Sequence, residues 1–311
     1  MLQLPPKKSL SSATITLRSR SRSRTRVALS RFLHSKLNIV ALLILTIITI
    51  SCFGAYFVTT NVLHQNRDSF DYTLLNQGFQ PPVGPGVNGH LLGTDDLARD
   101  TATRLLYGGQ VSLSVGFLTA LISVFIGTTL GLLSGYFRGW VDDLINIVIQ
   151  IISNLPTIFL LIILSFLINF DVLSLSVFIA LLSWVGTARL VRGQVLSLRS
   201  LDYVDAARVV GASNLRILSV HILPNVASLV LVAAGFDVVG AMLTEAGLSY
   251  LNFGLSIPIP SWGNLLSNSP TYFTNAPWLV YPPTLALLVT LLSVNLVVNG
   301  LRDAFDVRVI N

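Results

Sequence analysis

Charge is scarce in this chain. Of its 311 residues only 11% are Asp, Glu, Lys or Arg, whereas an ordinary soluble domain carries about 25%. Too few charges remain to clothe a water-facing surface, which excludes a soluble enzyme and a disordered scaffold. Cysteine is almost absent. The single Cys52 permits no intrachain disulfide and no Cys-based metal site, and its place in an apolar run makes it a buried structural thiol. There is no G-x-x-x-x-G-K-[ST] phosphate loop, so the chain itself is not expected to bind ATP in the usual way. No nucleophile–base pair is recognisable. His34, His64, His90 and His221 lie in separate segments, none at metal-ligand spacing. Catalytic, cofactor-binding and metal residues are therefore expected to be absent.

What is abundant is apolar surface: 52% of the residues are hydrophobic and the mean hydropathy is +0.72. A bilayer-spanning helix needs roughly 20 mostly apolar residues. Six runs meet or approach that requirement, at 37–58, 111–133, 144–170, 172–188, 225–250 and 278–298. The first run is too long for a signal-peptide core and no clear small-residue cleavage site follows it. An all-α polytopic membrane protein follows. Its parts are a basic tail (1–36), a first span (37–58), an outer segment (59–110), a core of five spans (111–300) and a short tail (301–311).

Orientation follows from the basic residues of the loops. The segments 1–36, 134–143, 189–224 and 299–311 hold 17 Lys and Arg, and the segments on the other side hold 3. Both termini are accordingly expected in the cytoplasm. The net charge of +6 does not mark a nucleic-acid binder, because nine of the twenty basic residues precede Leu37. The run Arg18 to Arg26 reads as a tail that fixes orientation and touches anionic membrane lipid.

Outside the spans, Thr94 is a candidate N-cap, with Asp95 and Asp96 placed to complement the helix dipole of the first turn. The outer segment 251–277 has no charge but contains Pro258, Pro260, Pro270 and Trp262. It suits a plug over a pore mouth or a contact for an external partner. The inner segment 189–224 is the most informative. Ser200 is placed to cap a helix from Leu201 to Val210, and Gly211 supplies a C-terminal turn. Ser213 can cap a second helix from Asn214 to Ile222, which Pro224 should limit. Small Ala206 and Ala207 leave room for another protein to approach. Asp237 and Glu245 are the only acids inside the spans; an ionisable group in hydrocarbon normally faces a partner or a wet cavity. Eight residues apart, they differ by about 80° around a helix. Buried hydrogen bonding to a neighbouring span and lining of a translocation path both fit them.

The series Asp205-Ala206-Ala207, then Gly211, then Ile222-Leu223-Pro224 resembles the EAA loop of bacterial ABC importer permeases. Tyr203 belongs to the same loop. Further stretches are similar to the second permease of dipeptide and oligopeptide importers. They are Leu92-Gly93-Thr94-Asp95 with Arg99-Asp100, Ser134-Gly135-Tyr136-Phe137, Ala188-Arg189-Leu190-Val191-Arg192, Leu243-Thr244-Glu245-Ala246, Pro260-Ser261-Trp262-Gly263-Asn264, Ala276-Pro277-Trp278 and Gly300-Leu301-Arg302-Asp303. The resemblance implies a type I ABC importer permease fold, with a cytoplasmic two-helix coupling loop at 200–222, in a bacterial plasma (inner) membrane. It implies a pore subunit and no enzyme. Its partners would be a second homologous permease, two ATP-binding subunits that carry the hydrolysis, and an extracytoplasmic substrate-binding protein. Di- and oligopeptides are the implied substrates, with nickel or antimicrobial peptides carried by similar permeases. A proton-coupled secondary transporter using Asp237 and Glu245 is the reading from another class. The chain departs from the family pattern at Asp205 (usually Glu), Ala98 (usually Gly), Asn299 (usually Asp) and Val307 (often Pro).

Overall fold

The computed structural model describes residues 30–65, 69–76, 78, 80–256 and 258–305. The Arg/Ser run of the N-terminal tail and Val307 in the C-terminal tail lie outside the described residues. Among the described residues the structure is helical, with a lone bridge between Thr94 and Asp100. Besides several short helical turns, the helices are α1 (Lys36–Phe53), α2 (Thr101–Phe137), α3 (Gly139–Asn154), α4 (Thr157–Ser165), α5 (Val172–Leu198), α6 (Asp202–Val209), α7 (Asn214–Tyr250), α8 (Trp262–Leu265), α9 (Ser269–Asn275) and α10 (Tyr281–Phe305). By length and composition α1, α2, α5, α7 and the 277–305 helix can each cross a membrane, and α3 with α4 makes a sixth, bent crossing.

The first helix ends at Phe53, short of 58, and the last runs on to Phe305, past 298 and into the expected tail; four further differences each have a local reason. The second span is longer than 111–133: α2 runs 37 residues, about 55 Å at 1.5 Å per residue, against a hydrocarbon core of about 30 Å. Its cap is Asp100, whose carboxylate accepts from Thr103 N–H at 2.7 Å, and not Thr94. The Thr94 hydroxyl is already engaged by Val83 N–H at 3.0 Å. The third span is not one straight helix. α3 and α4 meet at a 74° bend, because Pro156 holds the preceding Leu155 in extended backbone (ψ 127°). The fourth span does not stop at Arg189. α5 continues to Leu198, and the Arg192 guanidinium is held by Asp142 at 2.7 Å through both carboxylate oxygens. Asp171 caps its start reciprocally with Ser174, and the hydrogen bonds from Ser174 hold the Asp171 carboxyl below its ordinary value.

The fourth difference is at Pro224, which does not separate a second short helix from the fifth span. The helix from Asn214 runs through it into α7. It does so by widening to a π-helical stretch at Ile217–Ile222, and the Asn225 side-chain amide donates to the His221 carbonyl at 2.6 Å. His221 consequently sits inside the helix rather than at its end.

The scaffold is the pair α2 and α5. Gly127, Gly131 and Gly135 form a stripe on α2 that lies against α5. A Cβ at Gly127 or Gly131 would sit 2.7 Å from the carbonyl oxygen of Trp184 or Ala188, and one at Gly135 2.8 Å from Val195 Cβ. Small residues at such spacing let two spans approach closely, and packing rather than hydrophobicity holds them in lipid. Cys52, buried as expected, fills a gap against Gly109.

Candidate functional site

The inner loop is folded, not slack. Val204, Ile217, Leu218, Ile222 and Val226 pack with Tyr136, Val191 and Val195 into a small apolar core at the end of α2 and α5. Each such aliphatic side chain gains roughly 1.5–3 kcal/mol by leaving water, enough to fix α6 on the spans. Ser200 does not cap α6. Its hydroxyl donates to the Ser197 carbonyl, and Leu201 occupies the cap position without a side-chain bond. Ser213 does cap the second limb, accepting from Arg216 N–H at 3.4 Å.

Between the limbs, Gly211 has φ +87°. Ala212 N–H donates to Ala207 O at 3.0 Å and Gly211 N–H to Arg208 O at 2.9 Å, the paired bonds of a Schellman termination. This turn throws Val209 and Val210 outward, each 87% exposed, beside exposed Leu215. Tyr203, Asp205 and Ala206 are exposed on α6, and Ala207 is half-buried. Asp205 pairs with Arg208 at 2.7 Å. Ile222 is buried in the loop core, whereas Leu223 and Pro224 are exposed. The arrangement is a preorganised helix pair carrying an apolar knob and a carboxylate at its tip.

Within the spans, Asp237 accepts from Ser123 Oγ at 2.9 Å and Thr187 Oγ1 at 3.0 Å, on α2 and α5. Glu245 is fully buried and accepts from Ser112 Oγ and Ser249 Oγ, both at 2.8 Å. The Ser112 hydroxyl also accepts from Trp262 N–H at 3.1 Å, while the Trp262 indole donates to Leu105 O at 2.9 Å. The outer segment is thereby clamped to α2 and α7.

Outside the spans a cavity of about 480 Å³ opens between Asp95, Asp96, Arg99, Arg104, Asn264 and Tyr272, among others. Asp95 accepts from Arg99 Nε at 2.8 Å and from the backbone N–H groups of Leu97 and Arg99. Asp96 accepts from the Tyr272 hydroxyl. Partial burial, with Asp95 beside it, pushes the Asp96 carboxyl up, and Arg99 opposes the rise. Nearby, His90 sits between Asp100 (2.9 Å) and Asp71 (3.1 Å). Spacing alone did not reveal this cluster, because its members lie 10 and 19 residues apart. Among the described residues no three His, Cys, Asp or Glu are arranged to hold a metal ion.

A bundle of long apolar helices with an organised extramembrane helix pair is the architecture of a multi-span membrane transport subunit. Residues 127–311 match the model of the family described as the binding-protein-dependent transport system inner membrane component. The chain belongs to that family, whose architecture is the type I ABC permease fold. It is 35% identical over 277 residues to a glutathione transport system permease protein of Pectobacterium atrosepticum, covering 89% of this chain and 88% of that one. It is 37% identical over 279 residues to an oligopeptide transport system permease protein of Haemophilus influenzae, covering 89% and 86%. A dipeptide transport system permease protein of Alkalihalophilus pseudofirmus is 35% identical over 279 residues, with 90% and 88% covered. The protein is thus a permease subunit of an ABC importer and a multi-pass inner-membrane component.

Proposed function

We propose that this chain forms one half of a pore for di- and oligopeptides, paired with a second homologous permease. Two separate ATPase subunits carry out hydrolysis and dock on the 200–222 loop, and an extracytoplasmic binding protein delivers the substrate. This subunit has no enzymatic activity and no cofactor of its own. Both termini and the loop face the cytoplasm, in keeping with the distribution of Lys and Arg. The relatives named for oligopeptide, dipeptide and glutathione transport support a peptide cargo over nickel.

One observation carries the reading. The Schellman turn at Gly211 leaves Val209 and Val210 each 87% exposed, and an ordered apolar knob beyond the membrane calls for a receiving groove. A partner that prefers one state of the pore shifts its equilibrium only through differential affinity, and a rigid knob is able to transmit such a preference. Hydroxyl donors hold one oxygen of Asp237 and both oxygens of Glu245, an arrangement that gives no specific support to the proton-coupled alternative.

The test is thiol crosslinking from Val210→Cys, in a Cys52→Ser background, to an ATPase subunit carrying single cysteines along its surface groove. Crosslinks that form in the assembled transporter and change in yield with ATP support the docking. Their absence along the whole groove contradicts it.

A further inference from the structure

We propose that Tyr136 is the positioning residue through which the 200–222 loop moves the membrane spans, an inference that rests on the assignment of that loop to an ATPase. Tyr136 lies at the inner end of α2, 6% exposed. Three chain segments meet on it. The Arg208 guanidinium of α6 lies over its ring, 5.5 Å from the centroid, a distance at which a cation is attracted to an aromatic face. Its hydroxyl donates to Asn214 Oδ1 at 2.8 Å, at the first residue of α7. Its own carbonyl accepts from Arg199 Nη1 at 2.8 Å, just past the end of α5. Arg208 is in turn the partner of Asp205, so the acid of the loop is one ion pair away from the ring.

Both limbs of the loop are thus tied to one side chain, on either side of the Gly211 turn. That side chain stands on the closely packed α2–α5 pair: Gly135, its neighbour, has no room for a Cβ against Val195. A displacement of the loop that pulls on Tyr136 therefore carries α2 and α5 together. Because α2 is continuous to Thr101, the same rod reaches the outer cavity, where Thr101 and Arg104 stand on its first turn. Its middle carries Ser123 and Ser112, which hold Asp237 and Glu245 of α7. The rod contacts the loop, the half-buried Asp237, the buried Glu245 and the outer mouth without an intervening hinge.

The experiment uses the complete transporter in proteoliposomes, with co-purification of all subunits confirmed and a fluorescently tagged tripeptide as the imported probe. The readout is ATP hydrolysed per tripeptide imported. Tyr136→Phe keeps the ring beneath Arg208 and removes only the bond to Asn214, and Asn214→Ala removes the same bond from the other side. Each should raise the ratio about fivefold, the equivalent of one net hydrogen bond. The double variant should be no worse than either single one, because all three lack one shared bond. Asn214 is exposed, so its variant keeps the test open if Tyr136→Phe fails to assemble. A wild-type ratio in both singles, or additive defects in the double, overturns the proposal. Gly211→Val run alongside separates the two claims. Normal import there removes the loop assignment itself, whereas a defect there with normal Tyr136→Phe and Asn214→Ala removes only the role of Tyr136.

Discussion

Ser112 and Glu245, 133 positions apart in sequence, meet through a 2.8 Å hydrogen bond inside the membrane-spanning bundle. The same hydroxyl accepts the backbone N–H of Trp262 at 3.1 Å, so a single serine joins α2, α7 and the outer segment. Glu245 is in this way a fastening for residues 251–265 on the side where a pore mouth is expected.

Glu245→Ala should cost about 3 kcal/mol, because it leaves the Ser112 and Ser249 hydroxyls buried without their acceptor, each at about 1–3 kcal/mol. Glu245→Gln keeps one acceptor oxygen and should cost about half as much. The thermal midpoint of the detergent-solubilised complex checks this. Equal midpoints for the alanine variant and the wild type would refute the fastening.

Ala98 has a φ of +55°. Left-handed backbone costs an L-residue with a Cβ roughly 1–2 kcal/mol. The turn is nonetheless kept, because Asp95 collects the N–H groups of Leu97 and Arg99 on either side of it, at 3.0 and 2.9 Å. Ala98→Gly should raise stability by up to about 1 kcal/mol, the loss of one buried methyl offsetting part of the relief. Ala98→Val should lower it. The same thermal midpoint reads both, and a lower midpoint for the glycine variant would contradict the strain.

The α2–α5 contact makes a sharper contrast. At Gly131 an added Cβ would lie 2.7 Å from a backbone carbonyl oxygen, whereas at Gly193 it meets nothing within 4 Å. Gly131→Ala should cost about 1–3 kcal/mol through forced separation of the spans, and Gly193→Ala should be close to neutral. Membrane insertion with tryptic resistance distinguishes them. Equal resistance would show that the two helices do not pack as closely as described.

Local signals in the sequence carried much of this. Apolar runs located the spans, and Gly211 announced a left-handed turn that the structure has at φ +87°. Where two local signals competed, sequence alone did not choose. Thr94 and Asp100 are both good caps, and the decision fell to Asp100 because a distant donor, Val83 N–H, takes the Thr94 hydroxyl. Arg189 looked like the end of a span because the partner that shelters the next arginine, Asp142, is 50 residues away from Arg192. Pro224 looked like a stop, yet the helix widens to a π-helical stretch just before it and continues through it. The ties at Tyr136 and Glu245 were illegible for the same reason: pairs 78 and 133 residues apart leave no periodic trace.

The central claim is that the 200–222 loop couples this subunit to ATP hydrolysis. At Gly211 nothing lies within 4 Å of an added Cβ, so Gly211→Val strains the backbone without a clash and should leave the spans inserted. Asp205→Lys reverses the exposed charge at the tip and breaks the pair with Arg208. The measurement is ATP-driven import of a tagged tripeptide into vesicles holding the fully assembled transporter, with hydrolysis followed in parallel. Import should collapse in both variants, and hydrolysis should lose its stimulation by the loaded binding protein. Wild-type import in both would contradict the assignment of this loop.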